Sequence, residues 1–287
     1  MSGVPVGDFL GQMARSSAAR VAAARAREGD VALRLRARAG APAPRLRLSA
    51  AGFDLIAELK LRSPAQGALG AAGDDLEARV ASYAHGGAAI VSVLTEPTRF
   101  DGSLEHLARA AAALAPLGVP AMRKDFLVDA YQLYEARAAG AGGALLIVRM
   151  LPRARLAELL DCAAGLGLFV LLEAFDAADA AAAGELATAW RGRRADCLVG
   201  VNSRDLASLR IVPERLEVLL PELPPRQPRV AESGLATAAD AARLARAGYS
   251  LVLVGTALMG AADPAALARQ MIASGRDAAV SARAARP

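Results

Sequence analysis

Lysine and asparagine are almost absent from this chain of 287 residues. Only two of its 34 basic residues are lysines, Lys60 and Lys124, and Asn202 is the only asparagine. Arginine can replace an exposed lysine at little cost, but it cannot replace a lysine that must act as a compact, titratable ammonium. All three rare residues fall at the end of a predicted β-strand, so we interpret them as candidate active-site residues.

Other scarcities exclude several classes of protein. The chain has two histidines, two cysteines and no CxxC pair, which leaves little material for a zinc site, a histidine-dependent triad or a disulfide framework. Its apolar runs are shorter than the roughly 18 to 20 residues that a helix needs to cross a bilayer. We therefore expect a cytoplasmic protein with no metal site and no membrane partner.

Arginine gives the chain a basic character, with a net charge of +5 at pH 7. A basic chain can bind nucleic acid along one charged face, which is an alternative of a different class. The arginines are spread over the whole length, however, and only 4% of the residues are aromatic, so we expect no nucleic-acid partner. Nine arginines among the first 47 residues are also typical of a transit peptide, but we favour a helix with a solvated arginine face.

Short apolar runs alternate with alanine-rich stretches of helical character such as 104–117, 130–139 and 237–247. Near-continuous apolar strands that alternate with helices indicate a parallel sheet buried on both faces. Eight such units predict a (β/α)₈ TIM barrel, with a doubly wound open sheet as the alternative. The apolar runs are 54–60, 88–94, 119–124, 143–148, 168–173, 196–202, 228–233 and 250–255.

The same pattern divides the chain into three parts. Residues 1–50 are predicted to form an extra N-terminal helix and a proline-containing linker, and residues 51–275 the barrel. The alanine- and arginine-rich residues 276–287 are predicted to be a disordered tail. Thr237 and Asp240 have the spacing of a capping box, which predicts a helix start at that point.

Polar residues gather at the ends of the predicted strands, where a barrel of this kind carries its active site. Polar groups beside apolar runs are costly to bury unless they are paired or functional. A salt-bridged layer that closes the barrel is the structural alternative, but lysines with carboxylates are the usual acids and bases of chemistry without a metal. The residues at the strand ends are Glu58, Lys60, Lys124, Glu173, Asn202 and Glu232.

Glycine-bearing turns predict a phosphate site. Ser233-Gly234 ends the seventh predicted strand and Gly255-Thr256 ends the eighth, which are the positions where barrels of this type commonly bind phosphate. Ser63, in the loop after the first strand, is a further candidate donor.

Together these segments resemble the indole-3-glycerol phosphate synthase family over nearly the whole chain. RKDF and ESG at the third and seventh strands are the most specific of the matching motifs. The segments are 56–64 (IAELKLRSP), 92–96 (SVLTE), 100–103 (FDGS), 123–126 (RKDF), 129–132 (DAYQ), 172–173 (LE), 200–206 (GVNSRDL), 232–234 (ESG) and 253–258 (LVGTAL).

The resemblance implies a decarboxylating, dehydrating ring closure of 1-(2-carboxyphenylamino)-1-deoxyribulose 5-phosphate in tryptophan biosynthesis, with no cofactor. It implies that Lys124 is the general acid and Glu173 the acid or base of the dehydration, with Lys60 holding the substrate. It makes Glu58 and Asn202 positioning residues. We expect the pKa of the catalytic lysine to be depressed, because a neighbouring cation has that effect.

The remaining site residues follow from the same resemblance. Glu232 completes the polar layer, Arg204 meets the anthranilate carboxylate in bidentate fashion, and Phe100 and Phe126 enclose its ring. The phosphate is expected to meet Ser63, Ser233, Gly234, Gly255 and Thr256.

Some positions depart from the family pattern. Ala65-Gln66 replaces a frequent Ser-Lys, Gly142 stands where Asp is usual, and Ser203 where Asn is common. These departures leave open a related phosphate-binding barrel enzyme, or a paralogue that acts on a modified substrate. We expect a monomer or a weak homodimer.

Overall fold

The computed structural model describes residues 9–63, 67–69, 75–190, 192, 196–206 and 208–284, and at residues 63 and 68 the backbone alone. Its strands are β1 Asp54–Leu59, β2 Arg62–Ser63, β3 Gly67–Ala68, β4 Ile90–Leu94, β5 Ala121–Lys124, β6 Gly143–Ile147, β7 Phe169–Ala174, β8 Cys197–Asn202, β9 Arg229–Glu232 and β10 Leu251–Val254. Eight of the ten described strands match the eight predicted apolar runs to within two residues at each end, and β2 and β3 match none of them.

Eight of these strands run parallel and close into a barrel in the order β1-β4-β5-β6-β7-β8-β9-β10, with β10 returning to β1. The predicted (β/α)₈ barrel is therefore confirmed over the described residues, and the doubly wound sheet is wrong. The other two described strands, β2 and β3, follow β1 in sequence and pair with each other in antiparallel fashion.

Helices follow the strands and cover the barrel from outside. The capping box of Thr237 and Asp240 is present at the start of α10, as its spacing predicts. The helices are α1 Phe9–Arg27, α2 Asp30–Ala39, α3 Leu76–His85, α4 Pro97–Phe100, α5 Leu104–Leu114, α6 Ala130–Ala138, α7 Arg153–Gly165, α8 Ala177–Ala189, α9 Glu214–Leu219, α10 Ala238–Ala247, α11 Thr256–Gly260 and α12 Pro264–Ala284.

The strands carry apolar side chains on both faces because the outer face packs against the helices and the inner face fills the barrel. Outward-facing side chains such as Leu55 and Val91 pack against the helices. Their neighbours Ile56 and Ile90 point inward and fill the barrel together with Met122. This alternation follows from the two-residue period of a strand.

The N-terminal segment contains the predicted helix, α1, and a second helix, α2. Met13 of α1 joins the inner core of the barrel, and Arg20 forms two hydrogen bonds of 2.8 and 3.0 Å with the buried carboxylate of Asp125. The helix thereby lies against the end of the barrel where β5 terminates. None of the described helices has the length and apolar character that would let it cross a membrane.

The prediction of a disordered tail from residue 276 is wrong as far as Ala284, where α12 ends. The helix continues because its last turns have partners: Ala278 and Ala279 are buried, and Arg276 forms a 2.8 Å hydrogen bond with Asp54. Residues 285–287 lie outside the described part of the chain.

Candidate active site

The two-residue period of the strands brings polar side chains into the barrel at its carboxyl end. In β1 the inward face that carries Ile56 continues to Glu58, and in β5 the face of Met122 continues to Lys124. Since parallel strands end at the same rim, the polar side chains of several strands meet there. Lys60 and Asn202 also stand at strand ends, as expected for the rare residues.

Lys124 lies at the centre of three carboxylates, which we call the carboxylate cluster (Glu58, Glu173 and Glu232). Its ammonium nitrogen Nζ is 3.2 Å from Glu232 Oε2, 3.3 Å from Glu173 Oε1 and 3.9 Å from Glu58 Oε2. The three carboxylates belong to β1, β7 and β9, so the contact depends on closure of the barrel. Such a cluster holds one ammonium in a fixed place.

The surroundings of Lys124 keep it protonated. Burial alone would lower its pKa, but the charges of Glu173, Glu232 and Glu58 outweigh burial, and the pKa of Lys124 is raised well above its usual value. The expectation of a depressed lysine pKa is therefore wrong for this residue. The physical reason is that three carboxylates stand within 4 Å of Lys124 Nζ. The other lysine, Lys60, forms its own ion pair with Glu58.

The carboxylates do not behave alike. Burial opposes ionisation of Glu58, but Lys60 and Lys124 outweigh it, so the pKa of Glu58 is lowered; Lys60 Nζ is 2.9 Å from Glu58 Oε1. The pKa of Glu232 is raised, first by burial and then by the charge of Glu173. Carboxyl groups with pKa values shifted in opposite directions can divide acid and base roles.

Two inward-facing glycines leave room for these carboxylates. A Cβ on Gly200 would stand 2.3 Å from Glu232 Oε1, and a Cβ on Gly255 would stand 2.5 Å from Glu58 Oε1. Both distances are too short for atoms that are not bonded. Any side chain at either position would therefore displace part of the carboxylate cluster.

A hydrogen-bond chain continues from the cluster to β8 and its loop. Asn202 Nδ2 donates to Glu173 Oε1 at 2.8 Å, and Asn202 Oδ1 accepts from the backbone N–H of Arg204 at 2.9 Å. The guanidinium of Arg204 donates to Leu209 O at 2.7 Å. That bond uses only one of the five N–H donors of the guanidinium, and the other four take no part in it.

Above the cluster opens a cavity of about 410 Å³ that is lined by most of the predicted residues. Its lining includes Glu58, Lys60, Phe100, Lys124, Phe126, Glu173, Asn202, Arg204, Ser233, Gly234, Gly255 and Thr256. Glu232 lies beneath the cavity, fully buried and in contact with Lys124. Ser63 is not placed, because its side chain lies outside the described residues, as do Ala65 and Gln66.

One wall of the cavity is aromatic, and it includes a residue that the sequence did not reveal. Phe100 and Phe126 are 6.3 Å apart between ring centres. Phe9 of α1 meets Phe126 edge to face at 5.8 Å and lines the cavity as well. The only sequence signal was that Phe9 begins the apolar face of the N-terminal helix.

Aliphatic residues of the cavity were also missed by sequence reasoning. They sit beside polar motifs, and nothing in a single sequence distinguishes a cavity wall from ordinary core. They are Leu94, Leu145, Ile147, Leu206, Leu209, Ile211, Leu235 and Leu253.

The family departure at Gly142 is remote from this cavity. Gly142 precedes β6, at the opposite end of the barrel, where a Cβ would stand 2.8 Å from Pro120 Cβ and 3.1 Å from the carbonyl oxygen of Pro44. The glycine therefore lets the linker lie close to the barrel, and it touches none of the cavity residues.

The fold and the site together define a class: a (β/α)₈-barrel enzyme with a lysine–carboxylate site at the carboxyl ends of its strands. Comparison with known proteins is more specific. The family model described as indole-3-glycerol phosphate synthase matches residues 10–271.

Curated relatives carry the same name. The chain is 40% identical over 228 residues to the protein called indole-3-glycerol phosphate synthase in Streptomyces griseus subsp. griseus, covering 79% of this chain and 80% of that one. It is 45% identical over 222 residues to the protein of that name in a Nocardioides species, covering 77% and 81%.

Solved structures with low sequence identity share the fold alone. Thiamine phosphate pyrophosphorylase from Pyrococcus furiosus has a TM-score of 0.57 at 17% identity, with 79% of this chain and 97% of that chain covered. The 3-hexulose-6-phosphate synthase of Salmonella typhimurium has a TM-score of 0.57 at 16% identity, covering 79% and 100%.

The chain belongs to the indole-3-glycerol phosphate synthase family, a family of decarboxylating lyases of tryptophan biosynthesis. The resemblance carried by the sequence motifs is thereby confirmed.

Proposed function

We propose that this protein closes the indole ring of 1-(2-carboxyphenylamino)-1-deoxyribulose 5-phosphate, forming indole-3-glycerol phosphate, carbon dioxide and water. The observation that carries the proposal is the position of Lys124, a partly buried ammonium among three carboxylates at the floor of the cavity. Such a group is protonated at neutral pH and faces the space that a substrate would fill.

In the first step, the ring carbon that bears the carboxylate attacks the ketone carbon of the ribulose chain. The C–C bond forms, and the ketone oxygen takes a proton from Lys124 to become a hydroxyl group. Lys124 can supply this proton because its surroundings keep it protonated, and the developing alkoxide is a stronger base than the lysine amine. Lys60, held by Glu58, contacts the substrate beside it.

Decarboxylation and dehydration complete the reaction. The C–CO₂ bond breaks and its electron pair returns to the ring, which restores aromaticity. The hydroxyl group then leaves as water after a second proton is delivered, while a proton is lost from the neighbouring carbon. Glu173 serves as the acid or base of this step, positioned by Asn202, and Glu232 completes the layer beneath Lys124.

The two charged ends of the substrate require separate anchors. Arg204 is assigned to the anthranilate carboxylate because the residue lines the cavity and a guanidinium can bind a carboxylate through two parallel hydrogen bonds. Phe100 and Phe126 enclose the aromatic ring. The phosphate is assigned to the turns of Ser233-Gly234 and Gly255-Thr256, with Ser63 of the first loop as a further donor.

The remaining assignments are also proposals. The protein works without a metal or organic cofactor, as a monomer or weak homodimer in the cytoplasm, with the phosphorylated substrate as its partner. Residues 1–50 act as an extension of the barrel formed by residues 51–275.

The test is to mix the purified protein with the carboxyphenylamino substrate in the presence of a metal chelator and follow indole fluorescence. We expect fluorescence to rise with enzyme concentration. Folded protein that gives no fluorescence would overturn the proposed reaction and favour a paralogue with a modified substrate.

A further inference from the structure

The turn that ends β9 has an unusual backbone. Ser233 has φ of 72° and Gly234 has φ of 74°, so two consecutive residues lie in the left-handed region. This region is unfavourable for a residue with a side chain and persists only where the surroundings hold it. A Cβ on Gly234 would stand 2.6 Å from Ile211 Cγ2, which restricts that position to glycine.

Ser203, the residue after β8, is hydrogen-bonded to this turn. It is fully buried, and its hydroxyl oxygen lies 3.1 Å from the carbonyl oxygen of Glu232 and 3.0 Å from that of Ser233, so the two carbonyls share its single O–H donor. Its own backbone N–H also donates to Glu232 O at 3.0 Å. Two successive carbonyls of the turn therefore point toward the same side chain.

The direction of the carbonyls fixes the direction of the amide groups. In a trans peptide the C=O and N–H point to opposite sides, and the described residues contain no cis peptide bond. When Ser203 holds the carbonyls of Glu232 and Ser233, the N–H groups of Ser233 and Gly234 point away from it. Ser233 and Gly234 line the cavity, and successive N–H groups in such a turn form an anion-binding concavity.

We propose that Ser203 is a positioning residue for the phosphate group: its hydroxyl orients the two N–H donors of the turn toward the cavity. The proposal rests on the assignment of the substrate phosphate to this turn.

The test uses Ser203→Ala, which removes the hydroxyl and adds no volume. The matched control is Tyr249→Phe, which also removes a buried hydroxyl. Tyr249 precedes β10, and its hydroxyl donates to Leu216 O at 2.6 Å. Calorimetry measures binding of inorganic phosphate at fixed ionic strength. Steady-state kinetics use the full substrate and the same compound without its phosphate.

We expect Ser203→Ala to weaken inorganic phosphate binding and raise KM about 3- to 10-fold, the scale of one lost hydrogen bond. Its kcat should stay within about twofold, because the variant leaves Lys124 and the carboxylate cluster unchanged. Activity on the phosphate-free compound should equal that of the wild type, and Tyr249→Phe should bind phosphate normally.

Equal phosphate affinity in wild type and Ser203→Ala would overturn the proposal. It would also be overturned if Tyr249→Phe lost as much phosphate affinity as Ser203→Ala, or if Ser203→Ala lost as much activity on the phosphate-free compound as on the full substrate. Failure of the wild type to bind phosphate would overturn it as well. Absence of turnover by the wild type would instead count against the proposed reaction, and the phosphate titrations of the two folded proteins would still decide the role of Ser203.

Discussion

Replacement of Lys124 by arginine separates the charge of this residue from its ability to give up a proton. The guanidinium keeps the positive charge among the three carboxylates but stays protonated throughout the accessible pH range. Because the carboxylate cluster remains neutralised, we expect Lys124→Arg to fold like the wild type. Loss of general-acid catalysis removes a factor of about 10² to 10⁴, or about 3 to 5 kcal/mol of transition-state stabilisation.

The assay combines initial rates of indole-3-glycerol phosphate formation with thermal unfolding. A second variant, Lys124→Met, serves as the contrast, since it leaves three buried carboxylates without their ammonium, and breaking a buried ion pair costs about 3 to 5 kcal/mol. We expect it to lose both activity and stability. A Lys124→Arg enzyme with a kcat within tenfold of the wild type would refute the general-acid assignment.

Three further predictions concern stability and substrate binding. The arginine partners of Asp125 outweigh burial and lower its pKa to about 2. The resulting stabilisation of about 2 kcal/mol is complete above about pH 5 and is lost as the pH falls through about 4 toward 2. Urea unfolding at several pH values measures this loss. Gly200→Ala should cost about 1 to 3 kcal/mol and reduce activity, because its Cβ would collide with Glu232 Oε1. Phe9→Ala should raise KM about 3- to 10-fold by removing the edge contact with Phe126, worth about 0.5 to 1.5 kcal/mol.

Each of these predictions has a control. Asp125→Asn should flatten the pH dependence of unfolding below pH 4, and an unchanged dependence would contradict the assignment. Gly165→Ala, at a helical glycine with open space around it, should be neutral or stabilising, so equal damage from both glycine variants would argue against a specific collision. If Phe9→Ala leaves KM unchanged, α1 contributes nothing to the substrate site.

The fold was predictable because its signals are local. A strand buried on both faces reads as an apolar run, and eight such runs separated by helical stretches leave few alternatives to a barrel. The end of α12 was not predictable from its alanine and arginine content, because its order depends on contacts such as Arg276 with Asp54, 222 residues away in sequence.

The residues at the strand ends were predictable for the same local reason, but their mutual arrangement was not. Three carboxylates from β1, β7 and β9 surround Lys124 only because the barrel closes with this register, and that arrangement raises the lysine pKa where sequence reasoning expected a lowered one. Phe9 reaches the cavity through the docking of α1, which no local pattern reveals. The roles of the individual residues stay predictions.

The most direct test of the proposed ring closure measures carbon dioxide and indole-3-glycerol phosphate together, with substrate labelled in its carboxylate and a metal chelator present. We expect the wild type to release one labelled carbon dioxide for each indole-3-glycerol phosphate formed, and Lys124→Arg to form little of either. Formation of indole-3-glycerol phosphate without release of the label, or formation of neither product by folded wild-type protein, would refute the proposed reaction.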